Sequence, residues 1–102
     1  MKTLELTAAE QSLIAYLSTE GYQNFRMIKG DLCGTLDFLT THGLVVGLNT
    51  ISYERRYCYQ HRDEATAALA VWDGTDHPPG NWIKLKGTYR GQPVDQLNPN
   101  WK

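Results

Sequence analysis

Between Gly30 and Gly43 three leucines, Leu32, Leu36 and Leu39, recur at i, i+4 and i+7, the spacing that places side chains on one face of an α-helix. Glycine brackets the segment at both ends, Asp31 stands where an N-cap belongs, and Leu44-Val45 follows Gly43 directly. This feature constrains the fold more than any other. A helix with a single leucine ridge must bury it against neighbours, and the chain has 102 residues in which to supply them. That length fits one domain, residues 1–102, and a hydrophobic fraction of 41% is enough for a core without metal or disulfide support.

The neighbours are read as follows. Thr7 and Glu10 form a capping-box signature, with Leu13, Ile14 and Leu17 behind it, predicting a first helix over about residues 8–20 that Gly21 stops. A short second helix is expected from Tyr22 to Lys29 with Phe25 and Ile28 inward, and the leucine-ridged segment is the third. Leu44 to Leu48 reads as a strand, Asn49-Thr50 as a turn and Ile51 to Tyr59 as the return strand. On the return strand Ile51, Tyr53, Arg55, Tyr57 and Tyr59 share a face, with Glu54, Arg56 and Cys58 on the other. Arg55, on the apolar face, needs Asp31 or Asp37 as a partner unless that face opens to solvent at the hairpin tip. Asp63 caps a fourth helix with the stripe Ala65, Ala68, Leu69 and Trp72, ended by Asp73-Gly74. The rest is turn-rich, with a short strand from Trp82 to Lys86 and another through Pro93 and Val94. The expected class is α+β. Residues 1–60 form a winged-helix-like core of three N-terminal helices plus a β-hairpin, and 61–102 an amphipathic helix and a short β- and turn-rich tail.

Two resemblances add to this. The stretch from Gly34 to Val45, with Leu36, Leu39, Gly43 and Leu44, resembles the recognition helix running into the wing of winged helix-turn-helix proteins, and Arg56-Tyr57-Cys58-Tyr59 resembles the returning wing strand. The resemblance implies a DNA-binding regulator as one function. Farther along, Trp72-Asp73-Gly74, Pro78-Pro79-Gly80, Trp82-Ile83-Lys84 and Lys86-Gly87 resemble a pattern in small proteins encoded by phages and prophages. That likeness implies a mobile-element origin, where small proteins bind and inhibit host machinery, CRISPR effector complexes included.

Charge separates the two functions. Residues 1–43 hold three cations and five carboxylates, whereas 77–102 hold Lys84, Lys86, Arg90 and Lys102 against Asp95 alone. For duplex DNA, Arg26, Lys29, Arg55 and Arg56 are the candidate phosphate contacts. The third helix, however, carries Asp31 and Asp37 and none of the Arg, Lys, Asn or Gln residues that read base edges. Trp82, Tyr89 and Trp101 with Lys84, Lys86 and Arg90 have the composition of a protein–protein hot spot. The partner surface is therefore expected at Arg55, Arg56, Trp82, Lys84, Lys86, Tyr89 and Arg90.

No catalytic motif, Gly-rich phosphate loop or paired-carboxylate constellation is recognisable. His42, His61 and His77 lack companions at metal-ligand spacing, and Asp73 with Asp76 and His77 is more simply a helix stop than a cation site. Cys33 and Cys58 are expected as free thiols. The acid in Met-Lys-Thr-Leu-Glu-Leu argues against a secretory leader, and no apolar run is long enough to span a membrane, so a cytoplasmic location in the host cell is expected. The sequence thus points to a non-enzymatic, phage-type binding protein without cofactor or metal. It would inhibit or modulate a host protein or nucleoprotein complex, with direct nucleic-acid binding as the alternative and exposed tail strands offering a route to a homodimer.

Overall fold

The computed structural model describes residues 7–101; Lys2, Glu5 and Lys102, and the N-terminal residues used for the targeting argument, lie outside the described residues. The elements are α1 (Ala8–Thr19), β1 (Gln23–Ile28), β2 (Asp31–Asp37), β3 (His42–Val46), β4 (Arg55–Tyr59), α2 (Arg62–Val71), β5 (Lys84–Tyr89) and β6 (Gln92–Leu97). All six strands pair antiparallel in one sheet, in the order β1-β2-β3-β4-β5-β6.

This overturns the winged-helix-like core. The first helix stands, closed by reciprocal bonds between Thr7 and Glu10, and so does the stripe of the last one, α2. The expected second and third helices are instead the hairpin β1–β2. Its turn is Lys29-Gly30, with φ of 49° and 82°, the two consecutive left-handed residues that a twisted two-residue hairpin requires. A spacing of four residues is even, so Leu32 and Leu36 share a face on a strand just as they do on a helix. Leu39 alone would make the pattern helical, and it lies in the β2–β3 turn, 101% exposed. Phe25 and Ile28, expected side by side, pack on opposite faces of β1.

Each helix covers a different side of the sheet. Beneath α2, Ala65, Ala68, Leu69 and Trp72 meet Ile28, Cys33, Leu44, Val46, Tyr57, Tyr59 and Leu85. Beneath α1, Leu13, Ile14 and Leu17 meet Leu32, Val45 and Leu48, with Phe25, Met27 and Leu36 alongside. Burial on both sides explains why β3 reads as the unbroken apolar run Leu44-Val45-Val46. Because α2 has no basic residue in its last turn, the cation comes from β1. Arg26 donates from Nη1 to the carbonyls of Leu69 and Trp72 at 2.6 and 2.5 Å, satisfying groups that a helix C-terminus leaves open.

Candidate functional site

Alternation along β4 sends its two arginines to opposite sides of the sheet. Arg56 emerges on the α1 side. Its guanidinium lies 4.5 Å over the ring of Phe38 and donates to the Tyr53 hydroxyl at 2.9 Å. Phe38 takes this position because Gly43 has no side chain; a Cβ there would run into the ring. The register places Lys86 beside Arg56, and Lys84 beside Cys58. On β6, Asp95 stands beside Lys86 and Leu97 beside Lys84.

The apolar cluster under α1 draws on β1, β2, β3 and the β3–β4 loop and takes nothing from β5 or β6. The β5–β6 part of that face is consequently bare, while on β4 Cys58 is buried and Arg56 half-buried against Phe38. The side chains of Lys84 and Lys86 are 36% and 50% exposed, and Leu97 is 70% exposed. Asp95 reaches both lysines, at 3.6 and 3.9 Å, and is the one carboxylate set among three cations. The result is a cationic sheet surface with an exposed leucine on its edge strand.

Arg55 points the other way, toward the end of the sheet where two hairpins turn. Its side chain is 12% exposed and pairs with Glu54 at 3.1 Å, not with Asp31 or Asp37. Its guanidinium lies 5.2 Å from the Tyr89 ring centroid and 6.0 Å from that of Tyr57. Among the described residues its Nε finds no hydrogen-bond partner, and neither does that of Arg56. Above it opens a cleft of about 450 Å³ whose charged walls are Lys29, Glu54, Asp76 and Arg90. Arg90 pairs with Asp76 at 3.3 Å and lies 5.0 Å from the centre of the Tyr89 ring.

The seven residues expected to form one partner surface therefore separate. Arg56, Lys84 and Lys86 meet on the bare face; Arg55, Tyr89 and Arg90 meet at the cleft; Trp82 belongs to neither. It is 5% exposed, edge-on to Tyr57 at 5.3 Å and beside His77 at 5.2 Å. The expected nucleic-acid set is likewise divided. Arg26 is occupied at the end of α2, Lys29 and Arg55 line the cleft, and Arg56 is across the sheet. Phe38 and Asp95 also belong to this face and were not expected there, Phe38 because it fell inside the segment read as helix. Tyr53, expected on the face of Arg55, lies in the loop before β4 and packs on the opposite side, with the α1 cluster and Arg56.

Two of the carboxylates considered from the sequence, Asp37 and Asp73, are engaged in structure. Asp37 accepts from His42 at 2.7 Å and from Arg62 at 2.6 Å, contacts that hold its carboxyl below the usual range. Asp73 accepts from the Thr75 amide at 2.9 Å. Among the described residues no group of three or more His, Cys, Asp or Glu is placed to hold a metal. Cys33 and Cys58 are free and buried; they sit on opposite faces, and burial pushes the Cys33 thiol up to about 11. No helix among the described residues is long and apolar enough to cross a membrane.

His77 gives a pH signature. It sits among the rings of Tyr57, Trp82 and Tyr89, with Nδ1 2.9 Å from the Tyr57 hydroxyl. Burial lowers its pKa from the usual 6.5; Arg55 and Arg90 push the same way, and Asp76 opposes them. The unfolded chain therefore binds this proton more readily. Its contribution to stability is full above about pH 6.5, falls as the pH drops below that, and levels off beneath the folded-state pKa. Urea midpoints measured between pH 7.5 and 5 should fall for the native protein and stay flatter for His77→Gln.

Comparison with protein-family models finds no match to this chain, and comparisons with curated proteins and with solved structures find none either.

Proposed function

We propose that this chain is a non-enzymatic binding protein that docks an acidic protein surface on the bare β5–β6 face and thereby inhibits or modulates a host macromolecular complex. The observation that carries the proposal is the mismatch between one short helix and a six-stranded sheet. α1 shields the β1–β3 half and leaves Lys84, Lys86 and Leu97 facing outward, with Arg56 half-buried beside them. Clustered cations around an exposed apolar residue suit an acidic partner, because complementary charge speeds encounter and burial of the apolar centre slows release. The chain's net charge is −1, so the attraction is local to this face.

A protein partner is favoured over nucleic acid for a specific reason. Single-strand binding needs free aromatic faces for bases to stack on, whereas the Phe38 ring already carries the Arg56 guanidinium. Duplex recognition needs an element that enters the major groove, and a sheet face with three cations offers few phosphate contacts.

The test is capture from nuclease-treated bacterial lysate by the immobilised chain and by a Lys84→Glu, Lys86→Glu double variant. Lys86 is exposed and Lys84 half-buried, and both pair with Asp95. The unfolding midpoint is therefore read beside capture, and a Lys84→Gln, Lys86→Gln variant, which adds no carboxylate beside Asp95, serves as the folded control. Like charges brought together across an interface cost several kcal/mol, so capture of the specific partner should fall at least tenfold. Equal capture by both forms removes this face from the function. Capture that needs intact nucleic acid assigns the face to nucleic acid instead.

A further inference from the structure

We propose a second binding site, beyond the partner surface: the cleft at the hairpin-tip end takes a small, multiply charged oxyanion of the phosphate type. Three separate segments each deliver a cation to this 450 Å³ space. Lys29 comes from the β1–β2 turn, Arg55 from the start of β4, and Arg90 from the β5–β6 turn. Lys29 and Arg90 both hold left-handed backbone, with φ of 49° and 53°. Each is followed by a glycine that completes the tight turn, so the two rim cations are fixed by the hairpins rather than carried on floppy loops.

Three cations line the cleft against two carboxylates, Glu54 and Asp76, and the Asp73 carboxylate beside it feels the charge of Lys29. Glu54 engages Arg55 alone and Asp76 engages Arg90 alone, while the Lys29 ammonium donates to the Thr75 hydroxyl at 3.2 Å. Arg55 is the most deeply placed of the three, and a guanidinium so buried ordinarily has its donors fully met. Here it has one carboxylate oxygen, a contact with the Tyr57 hydroxyl and two aromatic rings, while Nε has no partner among the described residues. A phosphate group presents enough oxygens to engage a guanidinium fork, an ammonium and a hydroxyl at once. The Arg90–Asp76 pair is about 70% exposed on both sides, and such a pair is worth little, so an incoming anion can replace Asp76 without a large loss.

The test titrates the ¹⁵N-labelled chain with inorganic phosphate and with pyrophosphate, chloride being adjusted to hold ionic strength constant. Saturable shifts are expected at the amides of Lys29, Thr75, Asp76 and Arg90, with pyrophosphate binding several-fold more tightly than phosphate. Arg55 is left intact because it packs against Tyr57 and Tyr89. The exposed pair Lys29→Gln, Arg90→Gln should weaken binding at least tenfold, and Lys84→Glu, Lys86→Glu should leave it unchanged. Shifts that do not saturate, that survive the Lys29 and Arg90 changes, or that centre on Lys84 and Lys86 overturn the proposal. Only the last of these bears on the bare face, so the two sites stand or fall separately.

Discussion

Alanine at position 87 should destabilise the protein by about 3 kcal/mol or more, among the largest effects of any single methyl group in the chain. Gly87 has φ of +127°, a backbone conformation that side chains rarely adopt, and it pairs with Arg55 across β4 and β5. A Cβ there would meet the Glu54 carbonyl oxygen and would stand 2.6 Å from the Arg55 Cα. Both obstacles are backbone and cannot rotate away. The same approach lets the Thr88 amide donate to the Glu54 carbonyl at 2.9 Å, so relieving the clash would break the strand pairing that supports Arg55. Gly91 is the control: it also has positive φ, 79°, but among the described residues nothing lies within 4 Å of its added Cβ. Gly91→Ala should cost only the backbone strain, about 1 kcal/mol. Urea unfolding of the two variants gives the comparison directly. Equal losses would mean that β4 and β5 are not in this register.

Trp82→Ala should lower stability by about 3–5 kcal/mol, a large share of the 5–15 kcal/mol that a domain of this size has in total. From sequence this tryptophan belonged to a surface, because it opens a short strand in a turn-rich tail. In the structure its indole closes the α2-side core against Tyr57 and His77, and its carbonyl accepts from the Asn98 side chain at 2.7 Å. Loss of partner capture by Trp82→Ala would thus report unfolding, not a lost contact. The unfolding midpoint separates the two, since a surface tryptophan would leave it nearly unchanged.

How far the sequence could be read depended on whether a local signal had one meaning. The capping box at Thr7 and Glu10 and the stripe Ala65, Ala68, Leu69 and Trp72 have only a helical reading, and both elements form. Leu32 and Leu36 fit either period, and Lys29-Gly30 is not among the residue pairs that announce a hairpin most strongly, so two strands read as two helices. Alternation along β4 was legible, and with it the separation of Arg55 from Arg56. What sequence could not supply was register: which β5 residues stand beside Arg56, and that α1 stops short of them. The expected surface therefore held Arg55, Trp82, Tyr89 and Arg90 together with Arg56, Lys84 and Lys86, whereas the register keeps only the last three together and adds Phe38 and Asp95.

The most direct test of the bare face as the working surface is lysine acetylation of the captured complex, read by mass spectrometry against the free chain. Lys84 and Lys86 should lose reactivity when the partner is bound, while Lys29, across the sheet at the cleft, keeps it. Protection of Lys29 with Lys84 and Lys86 still reactive would contradict the account.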